Sequence, residues 1–229
     1  MRTLTLRLAA TGLLLPLSLV AGFFATSALS DIAMHQEVGA PLAALSALLV
    51  LAAGGGLWAR SLARLLAMSH PRRIAITGAA SHAALVLAAV VGLGVLEQEF
   101  VEFGRTSLPV HVLFTFLFVP ATFAASGLLA LAVACAAGQA RRSPRIALLS
   151  GTASALAFLA LNVLQDLLGR RVGGPNAAET ATMITVTLAC NVAAATVFTL
   201  VLGRLLRQAT VQDTLHREPA PQTAAPQTT

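Results

Sequence analysis

The chain has 229 residues, of which 57% are hydrophobic and only 10% charged, where an ordinary soluble domain carries about 25%. Such a composition cannot cover a water-facing surface, which excludes a soluble globular domain and points to lipid as the solvent. The net charge of +6 raises nucleic acid as a partner, but the placement of the fifteen basic residues, all arginine, argues for a membrane.

Six charge-free runs follow one another along the chain. A helix needs about 20 apolar residues to cross a hydrocarbon core of about 30 Å. The first run covers residues 8–30, between Arg7 and Asp31, and contains Pro16, which predicts a kink. Its length exceeds the 7–15 apolar residues of a signal-peptide core, so it is expected to be a retained span. The second covers 38–59. It contains Gly54-Gly55-Gly56, read as a flexible or closely packed point, and its helix is expected to continue over 61–68 along the cytoplasmic interface. The third covers 74–96. The fourth is a longer run, 106–140, broken by Pro109 and Pro120, and predicts one helix over about 111–138 kinked near Pro120. The fifth covers 146–165, its span reaching to about 166, and the sixth 180–203. Residues 208–229, rich in Pro, Thr, Gln and Ala, are expected to form a disordered cytoplasmic tail.

The predicted fold is therefore all-α, a polytopic transmembrane bundle of six spans. Cytoplasmic loops collect arginine. With both ends inside, twelve arginines fall in the cytoplasm and only Arg105, Arg170 and Arg171 outside. The absence of lysine and the abundance of alanine fit a GC-rich coding bias, hence a bacterial inner membrane. Membrane lipid is the expected partner, with other membrane subunits or a second copy of the chain next. Nucleic acid is not.

Short matches recur. Arg7-Leu-Ala-Ala-Thr-Gly12 opens the first span, Arg73-Ile-Ala-Ile-Thr-Gly78 the third and Arg145-Ile-Ala-Leu-Leu-Ser150 the fifth. These suggest three parallel helical hairpins, as in other repeat-built membrane bundles. The competing reading is coincidence in an Ala/Leu-rich chain.

In lipid, small residues that allow close approach carry helix packing. Ala80, Ala84, Ala88 and Gly92 recur every four residues in the third span, and Ser126, Ala130, Ala134 and Gly138 do so in the fourth. The two spans are expected to pack along these rows.

Polar residues within spans are the candidates for function. Asn191 and Asn162 suggest either an interhelical hydrogen bond or a polar pocket between spans five and six. Asp31, Glu97 and Asp166 end spans one, three and five at equivalent places in the three proposed repeats. They read first as interfacial flanking residues and second as an acidic external mouth that attracts a cation. Zinc needs three or four ligands, which His35, His111 and one external acid supply only if two external loops meet, and His82 has no mate for haem. No metal or cofactor is expected. Cys135 and Cys190 lack a Cys-x-x-Cys neighbour. No phosphate-binding loop, nucleophile elbow or His-Glu-x-x-His motif is present, so a catalyst is not expected. The composition favours a non-enzymatic membrane subunit or scaffold, with a small transporter or channel as the alternative.

Overall fold

A computed structural model describes the backbone of residues 2–33, 39–103, 110–169 and 177–217. The side chains it describes are those of residues 2–25, 42–89, 91–92, 119–161, 163, 188–189 and 191–213. Every element among the described residues is an α-helix: α1 (Arg2–Gly12), α2 (Leu14–Ala33), α3 (Gly39–Leu65), α4 (Pro71–Phe103), α5 (Val110–Ala136), α6 (Ser143–Gly169) and α7 (Ala177–Arg217).

Five helical segments among the described residues are long and apolar enough to cross a membrane. They are Arg2–Ala25, Leu42–Leu65, Val119–Ala136, Ser143–Leu161 and Asn191–Asp213. The remaining predicted span, 74–96, lies within α4, and part of its apolar stretch falls outside the described side chains.

The break between α1 and α2 has a local cause. Pro16 has no N–H to offer the Gly12 carbonyl, and its ring crowds that carbonyl. The backbone answers with a tighter bond from Leu13 N to Ala10 O before the helix resumes with Leu17 N on Leu13 O. Pro120, in contrast, lies inside a single assigned helix, α5.

Two turns share one ending. At the end of α5, Gly138 has φ +81°, Gln139 N donates to Ala134 O and Gly138 N donates to Cys135 O. At the end of α3, Ala67 has φ +51°, Met68 N donates to Ala63 O and Ala67 N donates to Arg64 O. Both are Schellman closures, which satisfy the last helical carbonyls through one left-handed residue.

The helices close a ring. Helix α2 packs on α3, α3 on α4, α4 on α5, α5 on α6, α6 on α7, and α7 returns to α1. One core runs through the ring at its arginine-rich end. It joins Leu8 of α1, Trp58 and Leu62 of α3, Ile74 of α4, Val133 of α5, Ile146 of α6 and Leu202 of α7.

Burial recurs with a common register. Helix α3 buries Trp58, Ala59, Leu62 and Ala63. Helix α5 buries Leu129, Ala130, Val133 and Ala134, and α7 buries Phe198, Thr199, Leu202 and Gly203. The intervening helices bury Leu8 and Gly12, Ile74 and Gly78, and Ile146 and Ser150. These last three pairs hold the same places in the three arginine-led matches of the sequence.

Three expectations need correction. The row Ala80, Ala84, Ala88 and Gly92 is exposed. Helix α4 instead turns Gly78, Ala79 and His82 toward α3, a face rotated from that row. In the opposite helix, Ala130 and Ala134 are fully buried, but Gly138 is the exposed left-handed cap and Ser126 faces α6. Spacing of four defines a row, not the neighbour it meets. Second, residues 61–68 are not a segment free of the bundle, because Leu62 and Ala63 fill the core. Third, the chain is not disordered from residue 208. Helix α7 runs on to Arg217 and is fastened to the α5–α6 turn. Residues 218–229 lie outside the described residues.

Candidate functional site

The glycine run of α3 makes the closest approaches in the bundle. Gly54 faces Ser18 of α2, and any side chain there would collide with the serine. Gly55 faces α4, where an added Cβ would lie 2.7 Å from the Gly78 carbonyl oxygen. The run is a packing point, with Gly54 serving α2 and Gly55 and Gly56 serving α4.

That approach creates a buried polar pair. Ser18 Oγ lies 3.1 Å from His82 Nε2. The serine gives its one proton to the Leu15 carbonyl at 2.7 Å. The contact is therefore satisfied when His82 carries its proton on Nε2 and donates to the serine oxygen. A serine held this way is not poised as a nucleophile, because its proton does not point at the imidazole.

A second pair crosses the ring. The indole Nε1 of Trp58 donates to Thr199 Oγ1 at 3.0 Å, and the indole stacks on Phe198 with ring centroids 5.8 Å apart. A third joins α5 to α6, with Ser126 Oγ donating to Ser154 Oγ at 2.9 Å. Each pair hydrogen-bonds between two helices, as buried polar groups in an apolar medium require. Ser150 differs: its hydroxyl is fully buried with no partner among the described residues.

At the arginine-rich end, Asp213 of α7 accepts from Gln139 Nε2 at 2.9 Å and pairs with Arg142 Nη1 at 3.2 Å. The same Arg142 nitrogen donates to the Ala209 carbonyl at 2.7 Å. These contacts fasten α7 to the α5–α6 turn at Ala209 and Asp213.

The candidates from the sequence fall unevenly. Asn191 is half-buried in α7 and already has an interaction partner. Asp31, Glu97, Asn162 and Asp166 belong to α2, α4 and α6, but their side chains lie outside the described residues. So do those of His35, His111 and Cys190. Cys135 is exposed on α5 and is a free thiol. Among the described residues, no three His, Cys, Asp or Glu side chains gather as metal ligands.

No known protein family, curated protein or solved structure matches the chain. The site is therefore read from its own residues. Sequence reasoning missed the Ser18–His82 and Trp58–Thr199 pairs. One signal was present: an isolated polar residue in an apolar span must find a partner, and His82, Ser18 and Thr199 are such residues. Which one meets which depends on ring order, which spacing alone does not give.

Proposed function

We propose that this chain is a six-span integral membrane protein, with both ends in the cytoplasm, that serves as a non-enzymatic subunit, scaffold or assembly partner. One observation carries the membrane reading. Large apolar side chains face outward on several helices, including Leu6, Phe23, Phe24, Leu49, Ile76, Leu128 and Leu156, while the closest approaches between helices use Gly, Ala and Ser. A water-soluble bundle has the opposite distribution. In lipid it is the expected one, because close packing of small residues replaces the hydrophobic drive between helices.

The structural role rests on how the arginine-rich end is filled. Trp58, Leu62, Val133, Leu202 and Leu206 are fully buried there. The interhelical hydrogen bonds around them tie helices together, and the Ser18–His82 geometry does not suit nucleophilic catalysis. Six spans fit the run of charge-free segments, and the grouping of arginines at the core end fits an inward orientation. The matched burial of Leu8, Ile74 and Ile146, and of the three quartets in α3, α5 and α7, supports three helical-hairpin repeats arranged about a pseudo-threefold axis.

That same equivalence favours one second reading, a small transporter or channel. Asp31, Glu97 and Asp166 recur once per repeat and could form an acidic external mouth for a cation. Reconstitution into liposomes, with flux assays for protons, alkali cations and small amines, separates the two. The scaffold reading predicts no flux above empty liposomes. Flux that Asp166→Asn abolishes would replace it with the transporter.

A further inference from the structure

A groove of about 710 Å³ lies along the seam between α1 and the end of α7. Leu4, Leu8 and Gly203 form an apolar patch at one end, Arg204 and Arg207 stand beside it, and Gln208, Val211 and Gln212 continue the α7 wall beyond them, with Thr5 on the α1 side. Leu8 and Gly203 are buried, whereas both arginines are exposed. Neither arginine has an acidic partner among the described residues: the described acid at this end, Asp213, is engaged by Arg142 and Gln139. From Gly203 to Gln212 the α7 wall rises about 14 Å. The groove thus passes, within one lipid's upper half, from apolar floor to two guanidinium groups three residues apart on one helix face.

We infer that this seam is a binding site for an anionic diacyl phospholipid, with its phosphodiester between Arg204 and Arg207 and the start of an acyl chain over Leu4, Leu8 and Gly203. The inference rests on the membrane reading above and adds a defined lipid site to it. Three features select this occupant. Guanidinium forks match phosphate oxygens in a bidentate way. Positive charge at the cytoplasmic face of a span attracts anionic headgroups. The apolar patch of Leu4, Leu8 and Gly203 beside the arginines has no use for a free phosphate ion but fits a headgroup that carries its own hydrocarbon. A zwitterionic lipid places an ammonium beside its phosphate and would meet the arginines with weaker net attraction.

The test uses the full chain purified in an uncharged maltoside detergent and followed by the fluorescence of Trp58, its one tryptophan. Thermal midpoints are compared with added phosphatidylglycerol, phosphatidylcholine or inorganic phosphate. The variants are Arg204→Gln/Arg207→Gln, Gln208→Glu, which sets a negative charge on the groove wall, and Arg72→Gln/Arg73→Gln at the start of α4 as a control. Phosphatidylglycerol at about ten times its apparent dissociation constant should raise the wild-type midpoint by about 3–6 °C. The control should retain that shift, and both groove variants should lose most of it. No shift on the wild type, an equal shift with phosphatidylcholine or phosphate alone, or loss of the shift in the α4 control to the same degree would overturn the site. None of these outcomes bears on whether the chain is membrane-embedded, which extraction from membranes tests separately.

Discussion

Trp58 of α3 and Thr199 of α7 are hydrogen-bonded across the core of the bundle, 3.0 Å apart and both fully buried. They are 141 residues apart in the chain, yet they hold neighbouring places in two quartets of the same register. Phe198, stacked on the indole, occupies in α7 the place that Trp58 holds in α3.

Thr199→Val removes the acceptor and leaves a buried indole N–H without a partner, at a cost of about 1–3 kcal/mol. Trp58→Phe keeps a ring over Phe198 and should cost less from the hydrogen bond itself, with a packing loss added. The double variant should be less destabilised than the sum of the two. The fraction remaining monodisperse in detergent after heating measures each, and strict additivity would show that the bond contributes nothing.

The left-handed residues make a sharper pair. Ala67 pays the steric cost of positive φ that Gly138 avoids. Ala67→Gly should stabilise the protein by about 0.5–1 kcal/mol, and Gly138→Ala should destabilise it by about 1 kcal/mol. Opposite signs in the thermal midpoints are the expected outcome.

Overpacking should distinguish the two faces of the small-residue rows. Ala130→Leu forces a larger side chain into a filled core and should cost about 1–3 kcal/mol or more. Ala84→Leu lies on an exposed face and should leave the midpoint nearly unchanged. Gly12→Leu should be the most damaging, since even a Cβ there would lie 2.9 Å from the Cα of Thr196. Equal effects of Ala84→Leu and Ala130→Leu would contradict the helix orientations.

Ser150 carries the buried hydroxyl without a described partner, at the place held by Gly12 and Gly78 in the other two copies of the match. Removing such a group is favourable when no bond is lost. Ser150→Ala should be neutral or stabilising by up to about 1 kcal/mol, and a clear drop in midpoint would reveal a polar partner for this hydroxyl.

Much of this architecture is legible in the sequence, and for physical reasons. Charge-free runs of about 20 residues set helix positions because lipid excludes charge. Pro16 announces the α1–α2 break because its ring forbids the local bond. The arginine-led matches place Leu8, Ile74 and Ile146 in one register, and all three are buried. What spacing does not encode is rotation: the row of Ala80, Ala84, Ala88 and Gly92 looked like a contact face, but the tighter approach of Gly55 to Gly78 and His82 turns α4 the other way. The end of α7 was illegible for a different reason. It is held by Gln139 and Arg142, some 70 residues earlier, through contacts with Asp213 that spacing along the chain does not show.

The most direct measurement is extraction of membranes with alkaline carbonate, followed by high-speed centrifugation without detergent. A chain whose outward Phe23, Phe24, Leu49 and Ile76 are solvated by acyl chains stays in the pellet and is released only by detergent. Recovery of folded, monodisperse protein in the aqueous supernatant would contradict it.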